Sequence, residues 1–360
     1  MTDDRFGLDI RGGGSIRVSR TELDRVRAQV ELAQNVLHHE LGPLANLGAG
    51  SILLALELPA IMQRLDSIKN GCLLASEQYF GGEHAIANRI NAIDRVDVPA
   101  LAGRALDSAN RLGLLRESRI EISRTGFEGG IAAPHSVVEL ALRLQRTSAD
   151  GDSAGQAEFR IERFGHRVIV YIPGTKEWSP KAGENPLDVT SNVHAMADSA
   201  DVAASERAVL AAMRSARVGA DDEVLLVGHS QGGIVAANIA ADQHAFKVAG
   251  IVAFGAPIAA ADIAPSTNVL ALEHTNDPVP MLDGGPNAIR ENWLTVRERF
   301  KLEVGESPVA VHDLAGYIET AGRFDASHSS RAKDALEFIR EFAGRAAGRT
   351  EWYSARRLAG

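Results

Sequence analysis

Apolar residues recur along this chain in two rhythms. To about residue 125 they keep helical spacing: Leu23, Val26, Val30, Ala33 and Leu37 alternate steps of three and four, lining one narrow seam of a helix. Ser19-Arg20-Thr21-Glu22, just before this run, has the form of a capping box, in which the serine hydroxyl and the glutamate carboxylate satisfy amides left free at a helix start. Gly42-Pro43, Gly48 and Gly50 break the pattern. A second seam then steps through Ile61, Leu65, Ile68, Cys72, Ala75, Tyr79, Gly82, Ile86 and Ile90. Two amphipathic stretches around a Gly/Pro-rich turn predict a helical hairpin, with a weaker helix over 100–115.

The later part of the chain alternates strands and helices. The spacing predicts neighbouring strands at 159–161 and 167–172 joined by a turn at Phe164-Gly165, and helix-type sequence over 193–216. A strand at 223–227, a helix at 232–242 and strands at 249–254 and 268–272 follow, then a short strand at 308–311 and a helix at 330–342. Val224-Leu225-Leu226-Val227 is apolar on both faces, as in a parallel strand covered by helices on each side. The Ser, Gly and Asp of 147–156 read as a surface loop. The predicted class is α/β, with an N-terminal all-α helical domain at 1–125 and a sheet domain covered by helices on both faces at 126–360.

Composition narrows the classes. With 360 residues, 45% apolar and 24% charged, the chain is an ordinary globular protein. Lys+Arg number 38 against Asp+Glu 47, a net charge of −9 that argues against nucleic acid as a partner. One cysteine, Cys72, excludes an intramolecular disulfide and a thiolate zinc cluster. The longest apolar run, 51–62, is interrupted by Glu57 and Pro59, too short for a transmembrane segment. Residues 1–14 are polar and Gly-rich, without the apolar core of a secretory signal peptide.

The chemistry centres on Ser230. Gly228-His229-Ser230-Gln231-Gly232 fits G-x-S-x-G between a strong strand and a helix, the context of a nucleophile elbow. A serine hydroxyl is a poor nucleophile and needs a base, which needs an orienting acid. In this architecture the acid follows the serine and the histidine comes last. Asp277, where a strand gives way to Pro278-Val279-Pro280, is the candidate acid; Asp262 and Asp283 are its rivals, and an Asx turn is its simpler explanation. His312 is the candidate base, with His328 as runner-up; His274 comes too early, and His229 packs beside the nucleophile. For the oxyanion, the expected donors are the amide of Gln231 and that of Gly174 or Thr175 in Pro173-Gly174-Thr175. Such chemistry needs no metal or organic cofactor.

These strings resemble those of a known superfamily. Tyr171-Ile172-Pro173-Gly174-Thr175, Gly228 to Gly233, Phe254-Gly255-Ala256-Pro257 and Asn276-Asp277-Pro278-Val279-Pro280 occur in the order found in α/β-hydrolases, and are similar to class 3 lipases and related actinobacterial α/β-hydrolases. The resemblance implies a Ser–Asp–His triad and hydrolysis of carboxylic esters, with a small-molecule or lipid ester as substrate. The segment Val311-His312-Asp313-Leu314-Ala315-Gly316-Tyr317 is only loosely lipase-like. A second resemblance rests on Tyr79 and Glu83: paired helices followed by Tyr-x-x-x-Glu are similar to type VII (ESX) secretion substrates, although Trp-x-Gly is missing from the turn. It implies a secretion-system or helical-hairpin partner and export without a cleaved signal.

Between Asp277 and His312 the chain mixes Trp293, Leu294 and Phe300 with many charges. This predicts a helical insertion at 281–306 roofing the site, with Trp293 and Trp178 as substrate-lining residues; a surface helix is the alternative. Two further classes remain open: another acyl-transfer enzyme on the same scaffold (thioesterase, peptidase or acyltransferase), and a non-catalytic protein acting through its helical domain.

Overall fold

The computed structural model describes residues 2–3, 8–11, 118–149, 155–178, 182–196, 202–282, 286–302 and 307–358. Their strands are β1 (Thr2–Asp3), β2 (Leu8–Arg11), β3 (Ile120–Ile131), β4 (Ala157–Phe164), β5 (Arg167–Ile172), β6 (Glu223–His229), β7 (Lys247–Phe254), β8 (Asn268–His274), β9 (Trp293–Glu298) and β10 (Gly348–Arg357). They form one sheet in the order β1-β2-β9-β8-β7-β6-β5-β4-β10-β3. Neighbours from β5 to β9 pair in parallel, and the flanking pairs are antiparallel.

The parallel strands are apolar on both faces because both are covered. Val168, Val170 and Ile172 of β5 join a core with α3 (Ala204–Ser215) and α4 (Gln231–Ala241). Ile169 and Tyr171, one residue out of step, join a second core with α1 (Val137–Ala149), α5 (Leu314–Asp325) and α6 (Ser330–Ala343). A period of two along each strand thus feeds two separate cores. The register pairs Ile172 with Gly228, His229 with Phe254 and Phe254 with Leu272. The loops leaving β5, β6, β7 and β8 therefore emerge at one edge, the carboxyl edge where open parallel sheets place their sites.

The mixed α/β class and the helices on both faces agree with the sequence pattern. The turn between β4 and β5 lies at Gly165-His166, one residue later than expected, where Gly165 takes φ +65°. The helix-type sequence at 193–216 contains α2 (Val189–Met196) and α3, with 197–201 outside the described residues. Thr147 is not in a loop: it is buried in the last turn of α1, its Oγ1 donating to the Arg143 carbonyl at 2.9 Å. The hairpin helices, the 100–115 helix, the capping box, Tyr79, Glu83 and Cys72 all lie outside the described residues. Strands β1, β2 and the first half of β3 fall within the 1–125 span and belong to the sheet.

Two expectations are corrected. The run at 308–311 is a 3-10 helix, Pro308–His312, not a strand. The sheet position beyond β9 is taken by β2, so no place beside that strand is left for it. The helical roof at 281–306 is not formed either, since its centre is strand β9, paired with β8 and β2. The many charges of the segment favour a solvated helix, but the two that fall on β9 beyond its apolar start are paired within the fold: Arg297 Nε donates to Glu273 at 2.8 Å, and Arg323 Nε to Glu298 at 2.9 Å.

Candidate active site

Ser230 follows β6 directly and precedes α4, with φ 52° and ψ −121°. Positive φ is costly for a side-chain-bearing residue and persists only where the surroundings enforce it. Here the Ser230 amide donates to the Phe254 carbonyl at 2.9 Å, and its carbonyl accepts from Gly233 at 2.9 Å. Gly228 and Gly232 make the turn possible. A Cβ on Gly228 would strike the backbone of Gly232, and one on Gly232 would strike the Ile172 carbonyl. The G-x-S-x-G spacing is thus a packing requirement of strand against helix as well as a signature of chemistry.

The candidate acid and base arrive from two other loops. Asp277 is fully buried after β8; its Oδ1 accepts the Val279 amide at 2.9 Å. The Asx turn and the approach to histidine are compatible, because each uses a different oxygen. His312 ends the 3-10 helix, its Nδ1 donating to Asp277 Oδ2 at 2.7 Å while its Nε2 lies 2.8 Å from Ser230 Oγ. With Nδ1–H committed to a carboxylate, Nε2 is left to accept the serine proton. The structure therefore brings Ser230, Asp277 and His312 together. His328 is exposed ahead of α6, Asp262 is exposed in its loop, and Asp283 lies outside the described residues.

His229 and His274 support this arrangement. His229 Nε2 donates to the His312 carbonyl at 2.8 Å. Burial, and next the neighbouring His312 ring, push its pKa down to about 3, so it is neutral with the proton on Nε2. His274 Nδ1 donates to the Val311 carbonyl at 2.6 Å, and Nε2 accepts from Thr320 Oγ1 at 2.8 Å. Burial lowers its pKa to about 4. The two neutral imidazoles thus hold consecutive carbonyls of the turn that carries His312.

The residues expected around the oxyanion converge on the elbow. Gln231 opens α4, where a first-turn amide has no intrahelical acceptor. Its side chain is buried, and Nε2 donates to the Asp188 carbonyl at 3.2 Å. A Cβ on Gly174 would lie 3.0 Å from His229 Nδ1 and 3.2 Å from Ser230 Cβ, so this loop packs directly against Ser230. Thr175 Oγ1 accepts from Asn192 Nδ2 at 2.8 Å. Trp178, three residues on, is 70% exposed. Trp293 does not line the site: it is a β9 residue, 1% exposed, in the core beneath α3 and α4.

Sequence reading missed several residues here. Tyr317 of α5 donates its hydroxyl to Asp277 Oδ2 at 2.7 Å. Asp188, at the start of α2, receives both arms of Arg357 from β10 at 2.6 and 3.0 Å, and its Oδ1 also accepts the Ser191 amide. The i, i+4, i+7 spacing of Tyr317, Ala321 and Phe324 was a readable signal for a helix at this place. No local pattern marks Arg357 as the partner of a residue 169 positions away.

Residues 189–281 match the family model described as PGAP1-like alpha/beta domain. The matched stretch runs from α2 through the elbow to just past Asp277, about a quarter of the chain, and this part of the protein is similar to a hydrolase-like α/β family. No curated protein and no solved structure matches. Together with the mixed sheet, the match supports the α/β-hydrolase superfamily; it carries neither class 3 lipase specificity nor likeness to type VII secretion substrates. No helix among the described residues is long and apolar enough to cross a membrane.

Proposed function

We propose that the protein is a serine hydrolase that cleaves carboxylic esters through an acyl-enzyme on Ser230. The observation that carries this reading is the unbroken chain Ser230 Oγ–His312 Nε2–His312 Nδ1–Asp277 Oδ2, at 2.8 and 2.7 Å, on a serine held at positive φ. His312 takes the hydroxyl proton as Oγ attacks the ester carbon, and returns it to the leaving alcohol oxygen as the tetrahedral intermediate collapses. Asp277 keeps the proton on Nδ1 and stabilises the imidazolium. The amide of Gln231, with that of Gly174 or Thr175, donates to the oxyanion. Water, deprotonated by the same imidazole, then releases the acid and restores Ser230.

Labelling with a fluorophosphonate probe tests the reading. The wild-type chain is expected to label, and Ser230→Ala to lose all labelling. Turnover of p-nitrophenyl esters by Ser230→Ala should fall by roughly 10⁴-fold or more. Undiminished turnover in that variant overturns the assignment. Thioester and ester substrates compared side by side separate an esterase from a thioesterase on the same scaffold.

A further inference from the structure

The acid of the Ser230 site is held by a residue that the triad does not include. Asp277 Oδ2 accepts two donors at the same distance, His312 Nδ1 and the Tyr317 hydroxyl, each at 2.7 Å, while Oδ1 is committed to the Val279 amide. We propose that Tyr317 is a positioning residue for the Asp277–His312 pair, its hydroxyl fixing the rotation of the carboxylate and drawing charge from the oxygen that faces the imidazole. The proposal rests on the serine-hydrolase reading and adds to it the residue that tunes its base.

Tyr317 is itself built into place on every side. Its oxygen accepts the His274 amide at 3.1 Å, which points the hydroxyl proton away from β8 and toward Asp277. Its ring stacks on His274 with centroids 3.8 Å apart and planes 2° from parallel, and His274 stacks in turn on Phe300. Room for the ring comes from Gly255, at φ +58°, where a Cβ would lie 2.7 Å from the tyrosine ring. The Phe254-Gly255-Ala256-Pro257 string therefore has a physical reason: its glycine admits Tyr317. Gly316 plays the matching part on α5, since a Cβ there would meet Phe300 at 2.9 Å and His274 at 3.2 Å.

Burial, and next the Asp277 charge, hold the Tyr317 phenol well above its usual pKa, so it stays a donor throughout the working range. The other titratable or charged groups around the pair are His229 on β6 and Glu273 and His274 on β8, with Lys176 after β5 acting on His229 and Arg323 on α5 acting on His274. Replacing the phenol by a phenyl ring adds or removes no charge among these; besides the bond to Asp277 it takes away only the acceptor of the His274 amide. A hydrogen bond to a carboxylate favours its charged form and lowers its basicity. Removing it leaves more charge on Asp277, which strengthens the hold on a protonated His312.

The test is Tyr317→Phe in the full chain, with thermal unfolding and fluorophosphonate labelling run beside kinetics on p-nitrophenyl acetate from pH 4.5 to 9. The expected result is a fall in kcat of about tenfold with KM unchanged within about twofold, since Tyr317 is wholly buried behind Asp277. The acid limb of the kcat/KM profile should move to higher pH by about half a unit, which a loss of packing alone would not produce. An unchanged kcat and acid limb in Tyr317→Phe, beside a wild type that labels, overturns this proposal and leaves the serine-hydrolase reading standing. A wild type that neither labels nor turns over overturns both. Should Tyr317→Phe fail to fold, 3-fluorotyrosine incorporation is the second arm. Tyr171 and Tyr353 bond Glu162 and Glu351, so among the described tyrosines only Tyr317 reaches the triad. The more acidic fluorophenol donates more strongly and should move the acid limb to lower pH; an unmoved limb overturns the proposal.

Discussion

At the scale of single residues, this site depends on side chains that are missing as much as on those present. Gly232 gives way to the carbonyls of Ile172 and Pro173, and Gly255 to the ring of Tyr317. Gly232→Ala should therefore lower stability by roughly 1–3 kcal/mol through a forced backbone shift, and slow fluorophosphonate labelling because Ser230 shifts with it. Gly219, where an added Cβ meets nothing within 4 Å, supplies the control. Urea unfolding with labelling rates checks this, and equal behaviour of the two variants would refute it. That Ser230, Asp277 and His312 meet was legible at this scale because strand–turn–helix context and chain order restrict the choice of candidates. Tyr317 was not, since a tyrosine three residues into a helix looks the same whether it packs or donates.

Among elements, charge decided what could be read. Strands β5 to β8 announce themselves as apolar runs, whereas β10 carries Arg349, Glu351, Arg356 and Arg357 and hides. Its charges are paired within the fold: Glu351 accepts from Tyr353 at 2.6 Å, and Arg357 grips Asp188 with both members almost wholly buried. That grip ties β10 to the start of α2, whose Asp188 carbonyl holds the Gln231 side chain and whose Asn192 holds Thr175. Arg357→Leu leaves the Asp188 carboxylate buried and unpaired, and is expected to cost about 3–5 kcal/mol. Asp188→Asn combined with Arg357→Leu should recover part of that loss. Denaturant midpoints of the single and double variants measure it, and additive losses would speak against a coupled pair. The edge strand β3 hides for another reason: only Ile120, Ile122 and Ile131 pack on the cores while most of its other side chains are exposed, so few of them must be apolar.

Over the whole molecule, buried titratable groups set how stability follows pH. His229 and His274 stay neutral in the fold to about pH 3 and 4, from an ordinary 6.5, so below 6.5 the unfolded chain binds more protons at these sites and stability rises with pH. Glu206 works the other way. Burial first, then the charge of Asp242, raises its pKa from 4.5 to about 7, so its contribution is complete below 4.5 and is lost as pH rises through 7. Between about pH 5 and 6 the two histidines oppose Glu206, and these three groups by themselves make stability climb by roughly 1.4 kcal/mol per unit. Glu206→Gln removes the opposing proton, which should about double that slope and raise stability above pH 7 by up to roughly 3 kcal/mol. Urea midpoints across this range check the sign, and parallel curves for the two proteins would refute it.

The linear pattern determined what depends on neighbours along the chain. It determined the two-faced apolar strands, the elbow and its glycines, and the order serine, aspartate, histidine at a sheet's carboxyl edge. Only the tertiary structure decided what depends on distant partners. Whether 293–298 lies over the sheet or within it turned on β2 and β8 offering hydrogen bonds on both sides, and on Glu273 and Arg323 neutralising its charges. Whether 308–311 was a strand turned on the place beside β9 already being filled. The donors that set Asp277 and His312 come from β6, β8 and α5, brought together by closure of the fold, and periodicity along a chain carries no record of such meetings.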